Sequence, residues 1–116
     1  MKRLIKAFGY SCDGLRCAIK SEAAFRQEII LLVAGIVVAL LIDFSALERI
    51  ALIGSLILVM ITEIINTAFE YVIERISNDW HEASKKVKDL GSAAVLLALV
   101  LAAGTWVSLL AVHFIS

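Results

Sequence analysis

The sequence has 116 residues, of which 61% are hydrophobic, and its formal net charge at neutral pH is zero. A soluble domain of this length could not bury so much apolar surface, so the composition excludes an ordinary water-soluble fold. The zero net charge excludes bulk attraction to nucleic acid, and we expect no nucleic-acid partner. Proline is absent and only 6 residues are glycine, which favours long helices over a membrane β-barrel. We predict one all-α membrane domain over residues 1–116.

Residues 1–20 have the pattern of an amphipathic helix. Their apolar side chains lie near one helical stripe: Leu4, Ile5, Phe8, Cys12, Leu15 and Ile19. Most of the charged side chains lie elsewhere on the helix, so we expect it to lie in the membrane interface rather than cross the bilayer. The spacing of Cys12 and Cys17 fits neither a C-x-x-C motif nor a zinc site, and we expect both thiols to be reduced.

Three longer apolar segments follow. The uncharged run over residues 29–42 is short for a span, so its helix is expected to begin near Glu22 and to end near Leu47. The second segment carries one charged residue in its apolar part, Glu63. The third is interrupted only by serine, threonine, glycine and a histidine close to its end. We predict transmembrane helices at about 22–47, 50–70 and 90–115.

The distribution of lysine and arginine predicts the orientation of the spans. Six, including Arg26, precede the uncharged part of the first span, one lies between the first and second spans, four lie between the second and third, and none follows. Basic residues concentrate on the cytoplasmic side, so the N-terminus and the 70–89 loop are expected to be cytoplasmic and the C-terminus periplasmic. Trp106 then falls toward the outer interface, where we expect an interfacial anchor. Ala94, Ala98 and Ala102 form either a smooth contact face or plain apolar filler.

The second span carries the most informative polar pattern. One helical face presents Glu63, Asn66, Thr67, Glu70 and Glu74. Glu63 lies about 10 Å deeper in the bilayer than Glu70. A carboxylate at that depth costs at least ~2.5 kcal/mol, so a partner, a proton, water or a function must offset it. Intramembrane acids usually mark ion, proton or substrate sites, which favours a functional role over a protonated structural acid.

Polar residues at the ends of the three spans are predicted to converge at the cytoplasmic face. They are Glu22, Asn66, Glu70, Lys88 and Asp89. Carboxylates with an amide and no cysteine ligand suit a hard ion such as Mg²⁺, and a lysine beside them suits a phosphate. A deeper acid can act as a general base on a lipid hydroxyl. Phosphoryl transfer requires this inventory of groups.

Each part of this set has a simpler alternative. Glu70 and Glu74 could form a solvated helix end with Arg75. The lysines near residue 88 could serve only as a positive-inside signal or an anionic-lipid patch. His81 fits a loop residue better than a metal ligand. The sequence contains neither of the familiar phosphate-binding glycine loops, so any nucleotide site must be built between helices.

Three segments resemble the signature of the small prokaryotic diacylglycerol kinases. They are Glu63-Ile-Ile-Asn66-Thr67-Ala68-Phe69-Glu70-Tyr-Val-Ile-Glu74, Lys88-Asp89-Leu-Gly91-Ser92-Ala93-Ala94-Val95 and Glu22-Ala23-Ala24-Phe25-Arg26-Gln27-Glu28. The resemblance covers nearly the whole chain. Phe69 stands where the pattern usually has a small aliphatic residue, and Glu74 stands where it usually has aspartate.

This resemblance implies a homotrimer of three-span subunits in the bacterial cytoplasmic (inner) membrane, with composite active sites at the cytoplasmic interface. It implies transfer of the ATP γ-phosphoryl group to diacylglycerol with Mg²⁺ as cofactor, giving phosphatidic acid. Glu63 would be the catalytic base, and Glu22 and Glu70 would hold the metal. The nucleotide would contact Arg3, Tyr10, Ser11, Glu22, Asn66, Glu70, His81, Lys88 and Asp89. The lipid would be flanked by Ala24, Phe25, Arg26, Gln27, Glu28 and Glu63.

Three alternatives remain open from the sequence. An undecaprenol kinase shares these motifs and differs only in its lipid pocket, although residues 22–28 look more like the diacylglycerol branch. A small proton-coupled transporter could use Glu63 as its carrier acid, with a water-accessible cavity at the bilayer midplane. A non-catalytic membrane subunit would leave the cost of Glu63 unexplained.

Overall fold

The structure is a computed structural model that describes residues 1–115, and its regular elements are helices throughout that range. Helix α1 comprises Lys2–Ser21, α2 Ala23–Leu41, α3 Ala46–Ile76 and α4 Glu82–Ile115. Helices α2, α3 and α4 are each long and apolar enough to cross a membrane. The prediction of an all-α chain with three such helices is confirmed.

The helix ends differ from the predicted span bounds. Helix α2 ends at Leu41, before the expected end near Leu47, because the chain turns over residues 42–45 and buries Phe44. Ser45 then begins α3 with a capping box: its hydroxyl accepts from the Glu48 N–H at 3.1 Å, and the Glu48 carboxylate accepts from the Ser45 N–H at 2.8 Å. Two reciprocal bonds therefore fix where α3 starts.

Helices α3 and α4 are longer than their apolar segments. They contain 31 and 34 residues, or about 46 and 51 Å at ~1.5 Å per residue. A hydrocarbon layer is only ~30 Å thick, so both helices extend well beyond it. The charged end of α3 at residues 70–76 and the charged start of α4 at residues 82–89 form these extensions.

Helix α3 packs against both α2 and α4 and contributes more buried residues than each of the other helices. One apolar cluster joins α3 to α4 and comprises Leu56, Val59, Ala98 and Ala102. A second joins α3 to the end of α2 and comprises Ala39, Phe44 and Leu52. Of the two interpretations of the alanine series, the contact face holds for Ala98 and Ala102, which are buried and whose small side chains allow close helix approach, whereas Ala94 is exposed in the single chain.

Trp106 is half-buried where the three long helices meet, and the interfacial anchor predicted for it stays a prediction. Its indole N–H donates to the Leu52 carbonyl at 3.1 Å. Its ring also lies against Gly35 of α2, where a β-carbon would stand 3.1 Å from Cζ2. The side chain therefore links all three long helices. The indole N–H of a tryptophan packed against apolar side chains usually finds an acceptor, and the α3 backbone supplies one to the half-buried Trp106.

Helix α1 contacts the rest of the chain mainly through its last turn. Ala18 is its buried residue, and the Cys17 thiol lies 3.8 Å from the Tyr71 hydroxyl of α3. Arg26 of α2 donates to the carbonyls of Ile19 at 2.7 Å and Lys20 at 3.1 Å, which satisfies the open end of α1. Both cysteines are free, as predicted.

Candidate active site

A polar cleft lies where α1 ends and α2 begins, against the last turns of α3. It has a volume of about 240 Å³ and is lined by Ser21, Glu22, Thr67, Glu70, Tyr71 and Glu74. We refer to it as the acidic cleft because three of its side chains are carboxylates. Glu22 and Glu70, which are 48 positions apart in the sequence, therefore share one site, as the sequence predicts.

The backbone explains how Glu22 reaches this cleft. Glu22 is the one residue between α1 and α2, and its extended conformation, with φ −119° and ψ 109°, separates the two helices. It occupies the N-cap position of α2, yet its carboxylate makes no capping hydrogen bond within residues 1–115. The side chain is therefore free to line the acidic cleft instead.

Helix α3 supplies the opposite wall through its periodicity. Thr67, Glu70 and Glu74 are three and four residues apart, so they stand on one helical face. Thr67 is buried, Glu70 is half-buried and Glu74 is exposed. The cleft thus opens toward the charged end of α3 and closes toward the membrane-spanning part.

Glu63 lies deeper along the same helix. It is half-buried, and its carboxylate interacts electrostatically with Glu22 and Glu70. Glu28 of α2 interacts electrostatically with Glu63 in turn. The bundle therefore contains a series of four interacting carboxylates, which we call the acidic series. It runs from the cleft into the apolar part of the bundle and comprises Glu22, Glu70, Glu63 and Glu28. Like charges that interact in this way favour binding of a cation.

Asn66 connects this acidic series to α4. Its side-chain amide N–H donates to the Glu70 carboxylate at 3.4 Å. Its amide oxygen is buried against Gly91 of α4 and has no hydrogen-bond partner among the described residues. Asn66 therefore contacts the site from the α4 side rather than lining the acidic cleft itself.

The other residues expected near the nucleotide lie on exposed surfaces of the single chain. Lys88 and Asp89 are exposed on α4 outside the acidic cleft, and Asp89 forms an ion pair with Lys85 at 2.6 Å. Arg3, Tyr10 and Ser11 are exposed on α1, and the Ser11 hydroxyl donates to the Ala7 carbonyl at 3.0 Å. None of these five is brought to the cleft within residues 1–115.

His81 has a local structural contact. It is exposed just before α4, and its Nδ1 accepts from the Ala83 backbone N–H at 3.0 Å. This bond satisfies one of the free N–H groups at the start of the helix. The sequence argument that His81 fits a loop residue better than a metal ligand agrees with this position.

The residues expected to flank the lipid divide into two groups. Phe25 is only 1% exposed and supports the start of α2 from within the core, and Arg26 bonds the end of α1. Ala24 and Gln27 are exposed to the surroundings. Glu28 is half-buried, with one carboxylate oxygen that has no hydrogen-bond partner in the described chain.

Glu28 marks one end of an apolar groove, which we name the α2–α4 groove. It has a volume of about 390 Å³, and its walls come from α2, α3 and α4, including Leu31, Leu56, Ala102 and Trp106. The groove combines a long apolar wall with one carboxylate close to Glu63. An amphiphilic molecule with a hydroxyl at one end would match that distribution of groups.

Comparison with known proteins assigns these features to a family. The profile described as "Prokaryotic diacylglycerol kinase" matches residues 9–110. The chain belongs to the prokaryotic diacylglycerol kinase family. A diacylglycerol kinase of Escherichia coli strain K12 is 51% identical over 112 residues, covering 97% of this chain and 92% of that protein.

More distant members of the diacylglycerol kinase family match almost as completely. The Pseudomonas aeruginosa protein is 43% identical and covers 95% of this chain and 89% of its own length. The Haemophilus influenzae protein is 39% identical and covers 91% and 90%. The family match includes the acidic cleft, Glu63 and Asn66, whereas Arg3 lies before the matched range.

The residues of the acidic cleft fit the divalent metal that a kinase of this family implies. Mg²⁺ takes oxygen ligands and is usually held by one or two carboxylates together with phosphate oxygens and water. Glu22 and Glu70 offer such a pair. No group of three Asp, Glu, His or Cys side chains within residues 1–115 is arranged to hold a metal. A two-carboxylate site suits an ion that arrives with the nucleotide.

Sequence reasoning missed several contacts that support the site. Gly91 lies against Asn66, Tyr71 lines the acidic cleft, and Arg26 closes the end of α1. The signal available for Gly91 was a glycine inside an apolar helix, which often marks a close helix approach. Tyr71 and Arg26 offered no comparable signal, because their contacts depend on where α1 lies relative to α2 and α3.

Proposed function

We propose that this chain transfers the γ-phosphoryl group of ATP to diacylglycerol, giving phosphatidic acid and ADP. The observation that carries the proposal is the acidic cleft, where Glu22 and Glu70 lie within electrostatic reach of Glu63. The relatives named diacylglycerol kinase match the chain across nearly its full length. The carboxylates of the cleft support phosphoryl transfer, and membership of the family supports diacylglycerol as the acceptor.

In this proposal Glu22 and Glu70 hold Mg²⁺ through their carboxylate oxygens. When bound, the ion neutralises charge on the phosphate oxygens of the nucleotide. Asn66 orients the Glu70 carboxylate through its amide N–H. Lys88 contributes positive charge to the phosphates, and Asp89 orients the groups around them.

Glu63 acts as the general base. It accepts the proton of the lipid hydroxyl while the hydroxyl oxygen forms its bond to the γ-phosphorus. The bond between the γ-phosphorus and the bridging oxygen breaks, and the electron pair leaves with ADP. The position of Glu63 about 10 Å below Glu70 along α3 suits an acceptor whose hydroxyl approaches from the membrane side.

The α2–α4 groove receives part of the lipid. Its apolar walls suit an acyl chain, and Glu28 at its end suits the glycerol hydroxyl region beside Glu63. Ala24, Arg26 and Gln27 flank the headgroup at the start of α2, with Phe25 supporting them from inside. Arg3, Tyr10, Ser11 and His81 present exposed donors to the nucleotide.

The active protein is a homotrimer with composite sites. Within one chain, only 11% of an apolar 18-residue segment of α4 is buried, and only 17% of the corresponding segment of α2. The remaining surfaces of both helices are available to lipid and to neighbouring subunits. Lys88 and Asp89 are exposed outside the acidic cleft of their own chain. A neighbouring subunit can bring this pair to the cleft, which completes the set of charges that phosphoryl transfer requires.

The chain is an inner-membrane protein with its acidic cleft on the cytoplasmic side, where ATP is available. The N-terminus and the loop between α3 and α4 are cytoplasmic, and the C-terminus is periplasmic, as the lysine and arginine distribution favours. Helix α1 lies along the cytoplasmic interface, because its exposed Leu4, Ile5 and Phe8 can enter the bilayer surface.

The direct test supplies the purified protein in bilayers with labelled ATP, Mg²⁺ and either diacylglycerol or undecaprenol. Label in phosphatidic acid is the expected result. Label in undecaprenol alone would show that the chain is an undecaprenol kinase. Absence of label from both lipids would rule out the lipid-kinase function and favour the proton-coupled transporter, with Glu63 as its carrier acid.

A further inference from the structure

Gly91 is buried at the contact between α4 and Asn66 of α3. The Asn66 amide oxygen lies where a β-carbon on Gly91 would stand, and the Asn66 Cγ lies 3.0 Å from that point. Any larger residue at position 91 would collide with the amide unless a helix or the side chain moved. A small residue is what allows two membrane helices to approach this closely.

The two ends of the Asn66 amide have opposite surroundings. The amide N–H donates to Glu70, whereas the amide oxygen is buried against Gly91 without a hydrogen-bond partner in the described chain. Rotation of the amide by half a turn would place its oxygen against the Glu70 carboxylate, and two acceptors would then face each other. The space beside Gly91 therefore lets the oxygen turn away from Glu70.

The other glycines in the long helices lack this relation to the site. A β-carbon on Gly104, also in α4, would meet no atom of residues 1–115 within 4 Å, and the same holds for Gly54 in α3. Gly35 faces apolar atoms of Leu56 and Trp106. Gly91 thus differs from them in facing a polar side chain that bonds a residue of the acidic cleft.

We propose that Gly91 is a positioning residue for phosphoryl transfer. By leaving room for the amide oxygen, it holds the Asn66 N–H on the Glu70 carboxylate and so sets the direction in which that carboxylate faces the metal–nucleotide complex. This inference rests on the proposed role of Glu70 as a metal ligand. Substitution at Gly91 should weaken metal binding without changing the chemistry at Glu63.

The test compares Gly91→Ala with Gly104→Ala, which makes the same chemical change in the same helix at an open position. Mn²⁺ binding to the full-length protein in detergent micelles is measured by electron paramagnetic resonance with a non-hydrolysable ATP analogue. We expect ~10-fold weaker Mn²⁺ binding for Gly91→Ala, the lower end for groups that orient metal ligands, and wild-type binding for Gly104→Ala. In steady-state kinetics the KM for Mg·ATP should rise while the KM for the lipid stays constant.

The Asn66→Ala background separates positioning from simple packing. Without the Asn66 amide, a β-carbon at position 91 has no polar group to displace, so Asn66→Ala/Gly91→Ala should bind Mn²⁺ as Asn66→Ala does. The same comparison applies if Gly91→Ala alone does not fold. A further loss in the double variant, or wild-type Mn²⁺ binding by a folded Gly91→Ala, would overturn the inference.

Glu70→Gln is measured alongside these variants. If it weakens Mn²⁺ binding and Gly91→Ala does not, only the positioning role fails. If Glu70→Gln binds Mn²⁺ as the wild type does, the metal role in the proposed function fails and the positioning role fails with it.

Discussion

Glu63 has the position that a base for a membrane-bound acceptor requires. It is half-buried in α3, below the acidic cleft, and interacts with Glu22 and Glu70 above it and with Glu28 beside it. A carboxylate in the membrane-spanning part of a helix costs free energy, and a catalytic role in the proposed reaction explains why it is present. An isosteric change can separate the chemical role of this carboxylate from the packing role of its side chain.

Glu63→Gln keeps the size of the side chain but removes its ability to accept the proton. We expect turnover to fall ~10²–10⁴-fold, the usual contribution of a general base, while binding of a fluorescent ATP analogue persists. Glu82→Gln is the matched control, because Glu82 is exposed at the start of α4 and pairs with Lys86 at 3.4 Å. Turnover of Glu63→Gln within tenfold of the wild type would remove Glu63 from the base role.

Much of the candidate site could be predicted from helical periodicity. The spacing of Thr67, Glu70 and Glu74 places them on one face, and all three line the acidic cleft. Asn66 was assigned to the same face but contacts α4 instead. Successive residues are ~100° apart around a helix, so Asn66 and Thr67 stand at opposite edges of a broad stripe. Only the packing of α4 decides which neighbour each edge meets.

At the level of the helices, hydropathy was sufficient to predict three spans, but it could not place their ends. The Ser45–Glu48 capping box was readable in the sequence as S-x-x-E and marks the start of α3. The end of α2 depends on the burial of Phe44, and the long charged ends of α3 and α4 depend on helix continuing into water. The apolar content of the sequence predicts neither of these helix ends.

The capping box should contribute measurably to stability. Ser45→Ala removes the hydroxyl that accepts from the Glu48 N–H, and loss of such a cap typically costs ~1 kcal/mol. Equilibrium unfolding in mixed micelles of mild detergent and SDS measures the change. Ser108→Ala, at an exposed position inside α4, serves as the control. Equal stability of the two variants would show that the cap does not hold the start of α3.

The junction of the three long helices depends on Gly35. A β-carbon there would stand 2.5 Å from Leu56 Cδ1 and 3.1 Å from Trp106 Cζ2. Overpacking of this kind typically costs ~1–3 kcal/mol, so Gly35→Ala should unfold at lower SDS fraction than the wild type. Gly54→Ala meets no described atom within 4 Å and should not be destabilised. Wild-type stability of Gly35→Ala would mean that the helices separate there at little cost.

At the scale of the whole molecule, one chain holds the carboxylates and the basic residue of the proposed reaction on separate surfaces. Glu22 and Glu70 line the acidic cleft with Glu63 below it, whereas Lys88 is exposed on α4 outside that cleft. In a ring of three identical subunits, a head-to-tail interface places one such surface beside the other three times. Each active site would then need two neighbouring chains.

Mixed trimers can test this arrangement. Glu63→Gln and Lys88→Ala subunits, each inactive alone, should recover activity when refolded together, because a Lys88→Ala subunit supplies an intact cleft and its Glu63→Gln neighbour an intact Lys88. Random mixing in equal amounts makes about a quarter of the sites intact in a three-subunit ring, so labelled phosphatidic acid should form at about a quarter of the wild-type rate.

Glu63→Gln mixed with Glu22→Gln should stay inactive, because both changes fall on the same cleft. Recovery in neither mixture would place each site within a single chain, and recovery in both would separate Glu22 from Glu63.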